Sequence, residues 1–245
     1  KLGAYLKETQ ILGSIQNTLY WDQNTGMPKK GASWRSEQLT YIAKVLHKRN
    51  SSEEFSNLIQ SAKNELLESE QNSDNQSFVK DKERNINLLL KEFNRERNLD
   101  PKLVESLAKA KSKGYESWQE AKKKSDFKLF LPFFEELVKL RIEEAKQISD
   151  QYSPWETLAQ PFEPELTLKW LNKMFQPLKE TIPDLIRGIN KSQKNHWDLS
   201  PETQKILCSK LLDEFGRDRD LVVVGQSPHP FSITLGPNDY RITTR

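Results

Sequence analysis

Residues 229–245 read HPFSITLGPNDYRITTR, and this stretch alternates between apolar and polar side chains on both sides of a turn. The apolar members fall at every second position: Phe231, Ile233, Leu235, Tyr240 and Ile242. A period of two places successive side chains on opposite faces of a β-strand, and the Gly-Pro-Asn-Asp segment at 236–239 has the composition of a turn. The stretch therefore predicts a β-hairpin, which the β-branched run at 221–224 would extend to a three-stranded sheet.

The sequence before this hairpin has the character of helices. Apolar residues recur at helical spacing from residue 5 onward, and Gly and Pro number only 9 and 12. Capping residues mark four expected helix starts: the Ser51-x-x-Glu54 pair, Asp100 before Pro101, Thr167, and Ser200 before Pro201. Residues 152–164, YSPWETLAQPFEP, contain three prolines and predict a non-helical connection.

These patterns predict a mainly α protein with a small β-hairpin or three-stranded sheet at its C-terminal end. We expect a helical N-terminal subdomain over residues 1–150, a further helical segment over 151–220, and the β-hairpin over 221–245. A chain of 245 residues is long enough to bury a sizeable hydrophobic core.

The charge balance argues against a protein that binds nucleic acid. Lys and Arg total 38 against 35 Asp and Glu, so the formal net charge is only +3, and the two signs are interleaved. We interpret the run Lys122-Lys123-Lys124 as a solvated helix face, and we expect no nucleic-acid and no membrane partner. The single cysteine, Cys208, excludes an internal disulfide, and its leucine neighbours predict a small core residue.

The hairpin contains two short motifs in order, His229-Pro230-Phe231 and Asp239-x-Arg241-x-Thr243, joined by the Gly-Pro turn. Further motifs lie upstream: Trp21-Asp22, Met27-Pro28, Trp118 with Ala121, Asp126-Phe127, and Phe162-Glu163-Pro164. In this order and spacing, the set resembles the carboxypeptidase Taq family of metallocarboxypeptidases. The resemblance extends over nearly the whole chain.

The resemblance implies an activity, a cofactor and an assembly. Proteins of this family are almost all-α peptidases, usually cytoplasmic homodimers, that remove single residues from the C-termini of peptides. A divalent ion, usually zinc, is held there by an H-E-x-x-H helix and a downstream glutamate. The metal polarises the scissile carbonyl and activates a water, and the motif glutamate acts as general base. The resemblance thus implies a cytoplasmic, homodimeric, zinc-dependent carboxypeptidase as the full-length protein.

The metal-binding motif of the family is absent from this sequence. The histidines are His47, His196 and His229; none is followed by glutamate, and none has a second histidine four residues later. We therefore expect no catalytic residue and no metal ligand among these 245 residues. In the family, the zinc helix begins shortly after the position of Arg245. We accordingly expect the N-terminal portion of such an enzyme, inactive alone, with residues 221–245 as one edge of its active-site cleft.

Six residues of the two hairpin motifs are predicted to bind substrate or support the cleft: His229, Pro230, Phe231, Asp239, Arg241 and Thr243. A guanidinium such as that of Arg241 recognises a free α-carboxylate through two parallel hydrogen bonds. Arg241 also shares a strand face with Asp239 and Thr243, and we favour a structural Asp239–Arg241 brace beside the groove. His229 either contacts substrate or orients the hairpin, and Phe231 is predicted to be core.

Trp21, Asp22 and His47, which lie upstream of the hairpin, are expected to have structural roles. Trp21 is expected to be an aromatic anchor, with Asp22 stabilising the turn beside it. His47, near the end of a helix, is expected to contact the last carbonyl groups of that helix. An alternative function remains open at this point: a non-catalytic helical domain that binds peptides or a partner protein and lacks the metal site.

Overall fold

A computed structural model of the chain describes residues 1–70, 76–189 and 198–245. The α-helices are α1 (Leu2–Thr25), α2 (Ala32–Asn50), α3 (Glu53–Glu70), α4 (Gln76–Arg97), α5 (Pro101–Lys124), α6 (Leu131–Ile148), α7 (Pro154–Ala159), α8 (Leu168–Gly188) and α9 (Pro201–Glu214). The strands are β1 (Val222–Gln226), β2 (Ser232–Gly236) and β3 (Asp239–Thr244). The predicted mainly α fold with a small C-terminal sheet is confirmed.

Three of the predicted helix starts are capped as expected. The Asp100 carboxylate accepts a hydrogen bond from the backbone N–H of Lys102 at 2.7 Å, and Pro101 occupies the first turn of α5. The hydroxyls of Thr167 and Ser200 each accept from a backbone N–H three residues later, at 3.2 Å. These side chains satisfy N–H groups that have no partner within the helix.

The cap of α3 lies one residue later than predicted. The hydroxyl of Ser52 accepts a hydrogen bond from the backbone N–H of Phe55 at 3.1 Å. The hydroxyl of Ser51 instead donates to the carbonyl of His47 at 2.7 Å, because Ser51 completes the last turn of α2. The connection between α2 and α3 therefore contains two residues, Ser51 and Ser52, one more than the Ser51-x-x-Glu54 pattern suggested.

The prediction of a non-helical segment at 152–164 was wrong in its centre, where α7 forms. Ser153 and Glu156 build a capping box, in which each side chain accepts from the other residue's backbone N–H. Pro154 occupies the first helical turn, a position whose N–H has no partner within the helix. The prolines here allow a short helix to start rather than preventing it.

The described chain divides into two compact units, one formed by Lys1–Asp150 with Val223–Arg245 and the other by Gln151–Val222. In the first unit the sheet packs with the N-terminal helices, chiefly through β2 and α1. The role of residues 221–245 as a cleft edge stays a prediction.

The sheet has the strand order β1-β3-β2, so β3 is the central strand. Strands β2 and β3 pair in antiparallel register, with Ser232 opposite Ile242 and Thr234 opposite Tyr240. In the turn between them Asn238 adopts φ of 65°, a left-handed conformation that asparagine tolerates. The three-stranded form of the prediction is the one observed, and the extra strand leaves β3 without an exposed edge.

The main hydrophobic core joins α1, α3 and α4. The rings of Tyr5 and Phe55 stack with their centroids 5.3 Å apart, and Phe55 meets Phe93 edge-on at 6.1 Å. Ile59 is completely buried in the same cluster. From α2, the guanidinium of Arg49 covers the Tyr5 ring at 4.1 Å from its centroid. These contacts fix α1, from which the sheet is positioned.

His47 is buried between α2 and α4, contrary to the expectation that it contacts the end of its own helix. Its Nδ1 lies 3.0 Å from Oε2 of Glu96. The last carbonyl groups of α2 are reached by Ser51 and by the Tyr5 hydroxyl, which donates to the carbonyl of Arg49 at 2.9 Å. His47 instead connects α2 with α4 through its contact with Glu96.

The second unit contains α7, α8 and α9. Helix α8 exposes a row of apolar side chains, namely Trp170, Phe175, Leu178, Ile182 and Leu185. Cys208 in α9 is also exposed, so its prediction as a core residue was wrong. His196 lies outside the described residues. Within the described part of the chain, no helix combines the length and apolar character needed to cross a bilayer.

Replacing Ile59 by alanine should destabilise the first unit strongly. The side chain is completely buried, so its removal loses apolar contacts and leaves a cavity. We expect a loss of about 2–5 kcal/mol in the free energy of unfolding, measured by urea denaturation. Leu67→Ala on the same helix is the matched control, since Leu67 is 52% exposed. Equal losses for the two variants would contradict the assigned core.

Candidate functional site

The hairpin that carries the two motifs is fixed to helix α1. The side-chain amide of Asn17 donates to the carbonyl of Thr234 on β2 at 3.1 Å. The ring of Phe231 meets Tyr20 and Trp21 edge-on, with centroids 5.6 and 5.7 Å apart. Phe231 is half-buried, and its ring contacts connect the hairpin with α1. The HPF motif is therefore joined to the upstream Trp-Asp motif in space.

Asp239 and Arg241 form a bidentate ion pair on β3. Arg241 Nε donates to Oδ1 of Asp239, and Nη2 donates to Oδ2 at 2.9 Å. These hydrogen bonds, together with the attraction between the two opposite charges, lower the pKa of Asp239 and raise the pKa of Arg241. The predicted pair thus forms, and both partners stay charged across the neutral range.

Trp21 places an aromatic face against this ion pair. The Cζ atom of Arg241 lies 5.7 Å from the Trp21 ring centroid, within the range of a cation–π contact. On β1, Gly225 lies so close to Trp21 that an added Cβ would be 3.0 Å from the ring atom Cζ2. A side chain at position 225 would therefore displace the ring that contacts Arg241. Trp21 is an aromatic anchor, as predicted, and Asp22 beside it pairs with Arg35 at 2.6 Å.

Thr243 ties the central strand to the loop that precedes β2. It is only 3% exposed, and its hydroxyl oxygen accepts from the backbone N–H of Phe231 at 2.7 Å. The same hydroxyl lies 3.1 Å from the carbonyl of Phe231 and 2.9 Å from Oγ of Ser227. Ser227 Oγ in turn is within hydrogen-bonding distance of the His229 carbonyl. The buried hydroxyl of Thr243 thus holds the backbone of the HPF loop, directly at Phe231 and through Ser227 at His229.

His229 and Pro230 are exposed at the start of this loop. The imidazole of His229 meets the indole of Trp118 edge-on, with centroids 6.5 Å apart. Above the same indole lies Lys122, whose Nζ is 4.8 Å from the ring centroid and donates to the carbonyl of Pro228 at 2.9 Å. All three lysines of the run 122–124 are exposed, as the predicted solvated face requires, and Lys122 in addition anchors the loop through this hydrogen bond.

The six predicted residues fall into three connected groups in the first unit. Asp239 and Arg241 form the charged group beside Trp21. Buried Thr243 and half-buried Phe231 form the second group, and exposed His229 and Pro230 form the third. Gly225 was not predicted to contribute to the site, and its only signal in the sequence is a glycine next to a β-branched run.

The side chains gathered here can recognise charged and polar groups of a ligand. A fixed guanidinium can bind an anionic group, and an exposed imidazole can exchange a proton or a hydrogen bond. Among the described residues, no group of three or more His, Cys, Asp or Glu side chains is arranged to hold a metal ion. These residues therefore do not fit the metal centre that the family resemblance implies.

A family model described as carboxypeptidase Taq (M32) metallopeptidase matches residues 1–245. The chain belongs to this family. Among curated relatives of this M32 chain, carboxypeptidase 1 of Bacillus subtilis is 30% identical over 234 residues, which cover 93% of the chain and 45% of the relative. Thermostable carboxypeptidase 1 of Thermus thermophilus is 28% identical, with coverage of 98% and 49%. The chain spans about half the length of the curated relatives it matches.

Solved M32-type structures match the fold over the whole chain. The structure described as "BsuCP Crystal Structure" has a TM-score of 0.85 and 29% identity, covering 99% of this chain and 48% of its own. A Pyrococcus furiosus carboxypeptidase structure has a TM-score of 0.78 and 25% identity, with coverage of 100% and 49%. The helical arrangement and the terminal sheet are therefore those of metallocarboxypeptidases.

Thr243→Val should destabilise the hairpin of this M32 chain although it keeps the β-branched shape. The substitution leaves the part-buried N–H of Phe231 without its acceptor, and an unsatisfied donor costs up to about 1–3 kcal/mol when it is fully buried. Urea denaturation should show a loss of that size. Thr234→Val on β2 is the matched control, because Thr234 is exposed. A stability equal to that of the control would show that the hydroxyl does not hold the loop.

Proposed function

We propose that the whole protein is a metal-dependent carboxypeptidase and that residues 221–245 form one edge of its peptide-binding cleft. The family match and the carboxypeptidase names of the relatives support the activity. The observation that carries the cleft proposal is the Asp239–Arg241 pair held against Trp21. It is a preformed anion-recognition group next to two motifs of the family.

The geometry of the pair supports a role for Arg241 in binding the C-terminal carboxylate of a peptide. Asp239 occupies the Nε and Nη2 positions of the guanidinium. Within the described residues, no hydrogen bond from Nη1 is seen, so the Nη1 side remains for a second anion. A guanidinium fixed by one carboxylate loses less side-chain entropy when it binds another. Asp239 is then the positioning residue and Arg241 the contact to substrate.

We propose that the ligands of the catalytic metal lie outside these 245 residues. We propose a divalent ion, zinc, because this is the usual ion of the family that the motifs resemble. No H-E-x-x-H pattern occurs among the 245 residues, so no catalytic step is assigned to any of them. On the same resemblance, we propose that the whole protein is a cytoplasmic homodimer and that these 245 residues alone are inactive.

The direct test is release of the C-terminal residue from an N-blocked dipeptide. The whole protein should release it in the presence of a divalent metal and lose this activity when a chelator removes the ion. The 245 residues expressed alone should release none. A whole protein that binds no metal and releases no amino acid would reject the proposal and favour the non-catalytic peptide-binding alternative.

Arg241→Lys in the whole protein should raise KM for peptides without a comparable loss of stability. Lysine keeps the charge but cannot form the two parallel hydrogen bonds, so we expect an increase in KM of about 10- to 100-fold. Arg187→Lys is the matched control, since Arg187 forms an exposed pair with Asp184. An unchanged KM combined with a lowered melting temperature would show that Arg241 is only a structural brace.

A further inference from the structure

Helix α8 (Leu168–Gly188) lies almost entirely in solvent. Every residue of the helix except Leu171 is exposed, including Phe175 at 44% and Leu185 at 62%. A helix of this length normally buries one side, because packing supplies most of the stability of a helix in a protein. Within the described part of the chain, the apolar side chains of α8 have no such cover.

The apolar side chains of α8 follow a regular spacing. They occur alternately three and four residues apart, at Leu168, Leu171, Phe175, Leu178, Ile182 and Leu185. We call these six residues the apolar seam. The spacing places all of them on one side of an α-helix, and it is the spacing by which one helix packs lengthwise along another. The seam is therefore suited to a helical partner.

The opposite side of α8 is suited to water. It carries the charged residues Lys169, Lys173, Glu180, Asp184 and Arg187. Pro177 and Pro183 also lie away from the seam, and because proline has no N–H, each leaves a carbonyl one turn earlier without its helical partner. Water can satisfy these carbonyl groups only on an exposed side. The helix thus has one side for water and one side for an apolar partner.

The length of the relatives indicates where this partner comes from. The chain spans about half the length of the curated relatives it matches, so the proposed whole protein has a comparable length of polypeptide beyond these residues. A segment of the same polypeptide is held near the seam at a high effective concentration, which a separate molecule lacks. The rest of the same chain is therefore favoured over a second copy as the cover.

We propose that a helix from the remainder of the whole protein packs along the apolar seam of α8. This packing requires, as proposed above, that the protein extends beyond these 245 residues. It requires neither a metal nor peptide cleavage. The covering helix carries apolar side chains at the same three-and-four spacing, so that the two rows interdigitate.

The test is photo-cross-linking in the whole protein. The amino acid p-benzoylphenylalanine, which reacts with neighbouring C–H bonds under ultraviolet light, replaces Phe175 in one variant and Ile182 in another. Both positions lie on the seam, and they are independent probes, so one variant that fails to fold does not remove the test. The mass of each product is measured on a denaturing gel, and the cross-linked peptides are identified by mass spectrometry.

Both variants should cross-link within a single chain to a peptide from outside residues 1–245. If the cover is a helix, the residue reached from position 182 should lie about seven positions from the residue reached from position 175, because two helices packed lengthwise rise equally per residue. A covering β-strand would give a shift of only about three positions, since a strand rises about 3.3 Å per residue.

The same photoreactive residue in place of Lys173 is the matched control. Lys173 is exposed on the opposite side of α8, so the yield of cross-linked product from this position should be near background.

Four results would overturn the proposal. A product of twice the chain mass would place a second copy on the seam, and a cross-link to a peptide within residues 1–245 would place another part of this chain there. A strand-like shift would exclude a covering helix, and seam yields no higher than the Lys173 control would show an open seam. None of these readouts uses C-terminal residue release, so the carboxypeptidase proposal and the packing proposal can fail separately.

Discussion

The contact of Trp21 with the terminal sheet is the interaction on which the candidate site depends. The indole touches Phe231, lies under the guanidinium of Arg241 and fills the space that Gly225 leaves open. Helix α1 and the sheet are separated by about two hundred residues of sequence, yet this ring contacts a residue of each hairpin motif. The aromatic core around Tyr5 holds α1 in place, so the ring presents a rigid surface to the hairpin.

The parts of the fold that the sequence predicted well are those decided by local chemistry. The hairpin followed from alternation and a turn, and the caps at Asp100, Thr167 and Ser200 followed from residue type and position. The bidentate Asp239–Arg241 pair followed from strand parity. In each case the interacting groups lie within a few residues of one another, so the local sequence is enough to predict that they pair.

The features that escaped prediction depend on partners distant in sequence. The contact of Lys122 with the carbonyl of Pro228 was not predicted, because in the sequence Lys122 is one of three consecutive lysines and its partner lies about a hundred residues later. The role of His47 depends on Glu96 across a helix interface. Neither residue type nor periodicity predicts such tertiary contacts.

The close fit between Gly225 and Trp21 makes the two positions of this chain interdependent. A Cβ added at position 225 would lie 3.0 Å from the indole, so the ring would have to shift, whereas a smaller side chain at position 21 would leave a gap beside the glycine. The stability cost of a substitution at either position therefore depends on the residue at the other, as expected for two residues in direct contact.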